Sequence, residues 1–475
     1  MIKLICTAMI MICAALLITS CSHFANTHKN HGESVTDRIY AYANKTYGKQ
    51  LSLTPDEVRQ LAWVNDNPIA TPEMATKDTS HALHVEIKRA LTRLYCLQLL
   101  KEGSETSYQY FIAPQIGKKN VPLLNKKSFN SLSSLIQALN PTAFETLKTA
   151  AIISAVTLSP LAKKRAQEVL KIKLPSDSMQ FLATTAPVAD KIYPLAQQLI
   201  KRYPAAEKDL ETVFMPNSHF RHMMYNEGSF SMYSTMLAGI ANRHIDKNTL
   251  NLWYAHWVIN IAGFSGQVDP TGSLYLDQNT YNAMSTLKSI FDSLVQGASL
   301  NPMNAYLKKR AEWLGLSNLT QDENLQIALA GLGASLRLFT PAEGKALFEG
   351  VNALDNTVRK QWLVFAQAQL AVQSYPAETY LPAVFANTKK KVGLTESISI
   401  ILPLYVSVLI AEKEMRAEKP VRLQPNTPVS FRQLAENKSI DMLIAAKRNT
   451  YSIKINPTDG IAVIIPAAPL KNDNR

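Results

Sequence analysis

Helix-start signals recur along residues 36–418 while strand signals are rare there, and this pattern constrains the fold more than any other feature. Thr54-Pro55-Asp56-Glu57 combines a capping oxygen, a proline at the first helical position and an acidic first turn. Each of these suits the free amides and the positive end of a helix. Asn140-Pro141 and Ser159-Pro160 separate two later helices. The sequence therefore predicts a mainly α protein with a multi-helix globular body.

Smaller parts are predicted at both ends of this body. The expected organisation is a signal peptide at 1–20, a polar tether at 21–35, a helical body at 36–418 and a C-terminal module at 429–475. A loop near 263–272 allows a division of the body into lobes at 36–265 and 275–418. The C-terminal module is predicted to hold a helix at 431–447 and a β-hairpin, because a Pro-Thr-Asp-Gly turn separates residues 451–455 from 461–465.

Two segments of the body have distinctive patterns. Residues 107–113 alternate and predict a short strand, whereas residues 248–261 are apolar on nearly every side and predict a buried helix. His256 lies in the middle of that helix, and a buried imidazole needs a hydrogen-bond partner. Asn260 or a residue of segment 216–228 could supply it. His256 is then either a satisfied core residue or part of a site.

The first residues indicate where the protein is located. Lys3 precedes a short apolar run that ends in Ile18-Thr19-Ser20-Cys21. This ending resembles a bacterial lipobox, with Ile18 where leucine is usual, and implies lipid on Cys21 and membrane anchoring without a span. Ser22 favours the outer over the inner membrane by analogy. The alternative is an ordinary signal peptide with a chance cysteine. Removal of the signal leaves Cys96 as the one further cysteine, which excludes an intrachain disulfide framework.

The charge pattern narrows the class of partner. The chain has a formal net charge of +13, spread over pairs and triplets of basic residues such as Lys163-Lys164-Arg165. The sequence has no strip of basic residues interleaved with aromatic ones, so nucleic acid is not the expected partner. An envelope polyanion, an anionic membrane surface or a protein partner is the expected alternative.

Segment 216–228 has the densest collection of ligand-type side chains. On a helix that begins near 217, His219, His222 and Asn226 would share one stripe, with Glu227 to one side. Arg221 adds a fork of donors for a phosphate. His222 is expected to matter more than His219, whose place in the first turn would expose it to water. The functional interpretation is a metal or phosphate site; the simpler one is a polar helix start with locally paired histidines.

Residues 77–85 resemble a known enzyme motif. Around His81 they are similar to the HGxxHxxR motif that begins the SidE-type phosphodiesterase domain, with Lys77 in place of the first histidine, Asp78 of the glycine and His84 of the arginine. This resemblance implies a helical domain related to HD phosphohydrolases, whose active members cleave a phosphodiester, including one that links ubiquitin to a protein.

A second part of the resemblance lies at residues 147–155, which are similar to the helix that bears the His-Asp pair. Ser154-Ala155 occupies the place of that pair, so metal ligands or acid–base groups are lost. His81, His84, His219, His222 and Glu227 would rebuild a site if the two helices face each other. The catalytic candidates are His81, Arg221, His222 and Glu227, and the metal candidates are His84, His219 and His222.

Two classes of function follow from these patterns. The first is a lipid-anchored envelope protein whose helical body acts as a binding or scaffolding module and is a degenerate phosphodiesterase. The alternative is an active phosphodiesterase or metal-dependent phosphohydrolase that uses histidines from two helices. No cofactor is indicated other than a divalent metal, and a metal-binding lipoprotein is a third, weaker interpretation.

Overall fold

The computed structural model describes residues 34–66, 83–119, 121–215, 219–226, 230–370, 380–417, 423, 427, 429–445 and 451–466. Within these ranges the chain is mainly α-helical, with a two-stranded antiparallel sheet near the C-terminus, so the predicted fold class is confirmed. Residues 1–33, which include Cys21, the predicted signal peptide and most of the predicted tether, lie outside the described residues.

The first half of the chain contains short and medium helices. They are α1 Val35–Tyr47, α2 Pro55–Leu61, α3 Val85–Glu102, α4 Glu105–Ile112, α5 Lys126–Gln137, α6 Pro141–Val156, α7 Pro160–Leu170, α8 Ser178–Thr185, α9 Ala189–Ile192, α10 Pro194–Arg202, α11 Ala206–Val213, α12 Phe220–Met224, α13 Phe230–Ala241 and α14 Lys247–Ala262.

The second half continues with longer helices and ends in the hairpin. Its elements are α15 Gln278–Val295, α16 Pro302–Trp313, α17 Glu323–Ser335, α18 Pro341–Asn352, α19 Asn356–Leu370, α20 Leu381–Val392, α21 Leu394–Ala417, α22 Asn437–Ala445, β1 Tyr451–Ile455 and β2 Ala462–Pro466.

The cap signals in the sequence form the helix starts that they predict. The Thr54 side chain accepts from the Glu57 amide while Glu57 reaches back to the Thr54 amide, which completes a capping box at α2. Asn140 and Ser159 cap α6 and α7 in the same position, one residue before a proline. These are interactions between near neighbours in the chain, and so the local sequence is enough to specify them.

The core of the first half forms around α3, which packs against α4, α5, α6 and α14. Ile87, Leu91, Leu94 and Leu100 are among its buried residues. Cys96 is also buried, as predicted, and burial raises the pKa of its thiol. The segment predicted as the buried helix forms α14, which confirms that prediction.

One predicted strand is wrong. Residues 107–113 fall mostly in helix α4, where the Ser104 side chain caps the first turn by accepting from the Ser107 amide at 3.0 Å. Tyr108, Phe111 and Ile112 then share the buried face, because residues three and four apart lie on one side of a helix. The alternation seen in the sequence is too short to distinguish this pattern from a strand.

The C-terminal hairpin is confirmed, with the helix before it shorter than predicted. β1 pairs antiparallel with β2 in a register that joins Tyr451 to Pro466 and Ile455 to Ala462. The predicted helix at 431–447 is a 3₁₀ turn at Gln433–Ala435 followed by α22.

Helix α21 is the one helix in the described ranges that is long and apolar enough to cross a membrane by length and composition. Half of its most apolar window is buried inside the fold, where α18, α19, α20 and β1 pack on it. Its last turns hold a buried ion pair in which Arg416 Nη2 lies 2.6 Å from Glu412 Oε1. Packing in the core therefore accounts for the apolar sequence of α21. A buried core helix can be as long and as apolar as a membrane-spanning helix.

Candidate functional site

The segment with the two histidines forms a helix of only five residues, α12, with His219 at its N-cap. Buried Phe220, Met223 and Met224 fix it against the core. Its end is set by two phenols: Tyr233 Oη donates to the Met223 carbonyl at 3.0 Å and Tyr306 Oη to the Met224 carbonyl at 2.8 Å.

The predicted stripe of His219, His222 and Asn226 is therefore wrong at its last member. Helix α12 has ended before Asn226, which adopts a left-handed backbone with φ 50°. The amide of Asn226 instead approaches Gly331 in α17. Glu227 lies outside the described residues, and so does the expected cap at Asn217 or Ser218.

The two histidines stack on each other, with ring centroids 4.4 Å apart. The His219 ring also packs against Trp257 of α14 at 5.0 Å, and its Nδ1 is enclosed. Burial, followed by the nearby His222, Arg221 and His256, lowers the pKa of His219 to about 3. His219 is partly buried rather than open to water as predicted, because the Trp257 indole of α14 packs against its ring.

His256 has the partner predicted for it. The Asn260 Nδ2 atom lies 3.3 Å from His256 Nε2, and burial together with Arg93 lowers the pKa of His256 to about 3. The imidazole is therefore neutral at pH 7. Where Asn260 Nδ2 donates to Nε2, the single proton of the ring lies on Nδ1; where the Asn260 oxygen faces Nε2, the proton lies on Nε2.

Arg93 of α3 is a site residue that sequence reasoning missed. It is only 7% exposed, and its Nε and Nη1 atoms are enclosed without a hydrogen-bond partner. The close approach of α3 to the end of α14 depends on Gly263, where a Cβ would lie 2.6 Å from the Arg93 backbone nitrogen. A signal was present in the sequence: Arg93 lies in the run Leu91-Thr92-Arg93-Leu94 of a long helix, and an arginine among apolar residues requires a specific environment.

We call Arg93, His219, His256 and Trp257 the buried donor cluster. Arg93 comes from α3, His219 from the start of α12, and His256 and Trp257 from the C-terminal half of α14. Both α3 and α12 pack against α14. The enclosed atoms without hydrogen-bond partners are Arg93 Nε, Arg93 Nη1, His219 Nδ1, His256 Nδ1 and Trp257 Nε1. Most buried polar atoms in proteins are hydrogen-bonded, so five unpartnered atoms on side chains of three packed helices are unusual.

A second group of cationic side chains lies next to α12. We call Arg89, Arg221, Arg337, Phe264 and Tyr275 the arginine–aromatic surface. The guanidinium carbons of Arg221 and Arg89 lie 4.2 Å and 4.8 Å from the Phe264 ring centroid. Arg221 Nη2 and Arg337 Nη1 both donate to Tyr275 Oη, at 3.2 Å and 2.7 Å. Two helices and a loop thus bring three arginines onto two rings.

The two predicted site residues near the start of α3 are His84, which caps that helix, and His81, which is not described. His84 is the N-cap of α3, and its Nδ1 accepts from the Glu86 amide at 3.2 Å. His81 lies outside the described residues. Within the described ranges no three His, Cys, Asp or Glu side chains are grouped to hold a metal ion. The metal and catalytic assignments for His81, His84, His219, His222 and Glu227 therefore stay predictions.

The helix that would bear a His-Asp pair offers no acid or base at that place. Ser154 in α6 donates its hydroxyl to the Ala150 carbonyl at 2.7 Å, and Ala155 is buried. Both residues are used to pack and satisfy their own helix, so α6 contributes no acid–base or metal-binding side chain there.

Compared with family models, curated proteins and solved structures, the chain matches none of them. The resemblance to SidE-type phosphodiesterases and the lipobox thus stay predictions from residues 77–85, 147–155 and 18–21.

Proposed function

We propose that this protein is a lipid-anchored component of the bacterial envelope whose helical body binds an acidic polymer on the arginine–aromatic surface. The observation that supports it best is the shared contact of Arg221 and Arg337 on Tyr275 Oη. An anion bound beside them would accept from the N–H groups of both guanidinium groups.

The side chains of this surface suit an acidic ligand chemically. A guanidinium presents parallel N–H groups that match the two oxygens of a carboxylate, sulfate or phosphate. Phe264 and Tyr275 hold the arginines flat by contact with their faces, which reduces the entropy lost on binding. Arg89 is paired with Glu86 at 2.5 Å, so it contributes less to anion binding than its charge alone would suggest.

The charge of the whole chain acts in the same direction. A formal net charge of +13 attracts polyanions over distances of about one Debye length, about 8 Å at physiological salt. A lipid on Cys21 would hold the body at a membrane, with the outer membrane favoured over the inner. The anchor and the basic surface together describe a scaffold or binding module between a membrane and an acidic polymer.

Anchoring is tested by Cys21→Ser, with Cys13→Ser as the matched control because Cys13 is removed with the signal. We expect Cys21→Ser to leave the membrane fraction while the control remains there. A Cys21→Ser protein that stays in the membrane fraction after a high-salt wash would refute the lipid anchor.

Polymer binding is tested with fluorescein-labelled dextran sulfate and the Arg221→Gln/Arg337→Gln variant. The control is Lys164→Gln/Lys308→Gln, which removes the same charge from two exposed sites elsewhere. We expect the arginine variant to lose about tenfold in affinity, equivalent to about 1.4 kcal/mol, and the control much less. Equal losses in both would show that only net charge matters and that the surface is not specific.

A phosphodiesterase is the alternative function, favoured by the stacked imidazoles of His219 and His222 beside Arg221. The lowered pKa of His219, about 3, opposes it, because so weak a base removes few protons at neutral pH. A bis-aryl phosphate assay with and without divalent metal, on parent and His222→Ala, decides between them. Turnover that His222→Ala abolishes at unchanged Tm would replace the binding proposal with catalysis.

A further inference from the structure

We infer that the buried donor cluster binds one small oxyanion, a phosphate-type or carboxylate group, inside the fold. This site is separate from the polymer surface and does not depend on it. Arg93, His256 and Trp257 are 7%, 1% and 4% exposed, so each is more than nine-tenths buried.

The unpartnered atoms are donors, which determines the chemistry of the ligand. Arg93 Nε and Nη1 and the indole Nε1 of Trp257 donate and cannot accept. His256 Nδ1 is a further donor in the tautomer whose Nε2 accepts from Asn260. A single group with several acceptor lone pairs would satisfy them together, and an oxyanion is such a group.

The positive charge of Arg93 favours an anion over a water molecule as the ligand. The acid that acts on Arg93 is Glu86, which is already paired with Arg89. Burial lowers the pKa of Arg93, and among the described residues no carboxylate forms an ion pair with it. A water molecule could accept from some of these donors, but only an anion also neutralises the buried guanidinium.

Three separate elements build this site, which fixes the donors before a ligand arrives. Gly263 lets α3 approach the end of α14, and the ring of Trp257 packs against both His219 and His256, at 5.0 Å and 5.8 Å between centroids. Donors fixed in this way cost little reorganisation on binding.

The oxyanion could be free or the terminal group of a larger molecule, and the experiment separates these sources. Full-length protein in detergent is titrated calorimetrically with inorganic phosphate, acetate and glycerol 3-phosphate, in buffer without other oxyanions. We expect saturable binding of at least one probe, with a rise in Tm of about 2 °C at saturation. Preference for glycerol 3-phosphate would identify a phosphomonoester, and preference for a simple ion would identify a free oxyanion.

Two variants locate the binding. Arg93→Met should abolish it, and Trp257→Phe, which keeps the ring but removes one donor, should weaken it about tenfold. Arg337→Gln changes only the surface and should bind the small probe like the parent. The inference is overturned if the parent shows no saturable binding up to about 10 mM, a very weak affinity, or if Trp257→Phe and Arg93→Met bind like the parent. If Arg93→Met does not fold, Trp257→Phe alone decides.

Discussion

Arg93 and Arg310 are both deeply buried arginines, yet their surroundings differ. Arg310 of α16 is 0% exposed and donates through Nη2 to the Leu338 and Gly333 carbonyls at the end of α17. Its guanidinium carbon lies 4.1 Å from the Phe339 ring centroid and 5.4 Å from that of Trp313. Arg93, at 7% exposed, has enclosed Nε and Nη1 atoms and a neutral histidine as its neighbour.

The comparison shows that burial alone does not mark an arginine as functional. The Nε and Nη1 atoms of Arg310 also lack hydrogen-bond partners, but two aromatic faces and the carbonyl end of a helix stabilise its charge. Arg310 therefore closes the fold around itself. Arg93 lies near other donors, so a bound acceptor would satisfy it. Substitutions at Arg310, His256 and Arg93 test this difference.

The largest effect is expected for Arg310→Met. It leaves the Leu338 carbonyl without its donor and removes the contacts with Phe339 and Trp313, which should cost about 2–4 kcal/mol. Urea unfolding of parent and variant measures it. A loss below about 1 kcal/mol would show that this arginine is no better satisfied than Arg93.

The next effect is a pH dependence that arises from the donor cluster. The pKa values of His219 and His256 are lowered to about 3 in the folded state, so between pH 6.5 and 3 the unfolded chain binds protons that the folded chain does not. Stability should be fully present above pH 6.5 and fall on acidification by up to about 1.4 kcal/mol per pH unit for each histidine.

His256→Gln is the variant that checks this assignment. It removes one of the two titrating groups, and the fall in Tm between pH 7 and 5 should become about half as steep. A matched change at an exposed site, His244→Gln, should leave the parent profile unchanged. Identical profiles for parent and His256→Gln would place the acid sensitivity elsewhere in the protein.

The smallest effect is expected for Arg93→Met without added anion. Because Arg93 is a buried charge without an ion-pair partner among the described residues, its removal should lower the free energy of unfolding by less than about 1 kcal/mol, or should increase it. Added phosphate should then stabilise the parent and not the variant. A loss as large as that of Arg310→Met would indicate that Arg93 has an internal partner and a structural role.

The sequence was informative wherever the relevant interaction is local. Caps at Thr54, Asn140 and Ser159 and the C-terminal hairpin follow from residues within a few positions of each other. The pairing of His256 with Asn260 also follows, because residues four apart meet on one helix face. The strand predicted at 107–113 failed because a seven-residue alternation fits a capped amphipathic helix equally well.

The candidate site was only partly predictable. The sequence drew attention to His219, His222 and Arg221 and to His256, but it gave no reason to join the two groups or to include Arg93. The length of α12 was also missed, since Tyr233 and Tyr306 end it from other helices.

Three features could be predicted from the sequence alone: the mainly α fold class, the starts of many helices and the burial of α14. Helix caps, apolar periodicity and turn residues act within about four residues, so they are readable in order along the chain. The proximity of Arg93, His219 and His256, and the shared contact of Arg221 and Arg337 with Tyr275, could be seen only in the tertiary structure. Those contacts depend on how α3, α12, α14 and the end of α17 pack, and packing is set by the shape of the whole core rather than by any one segment.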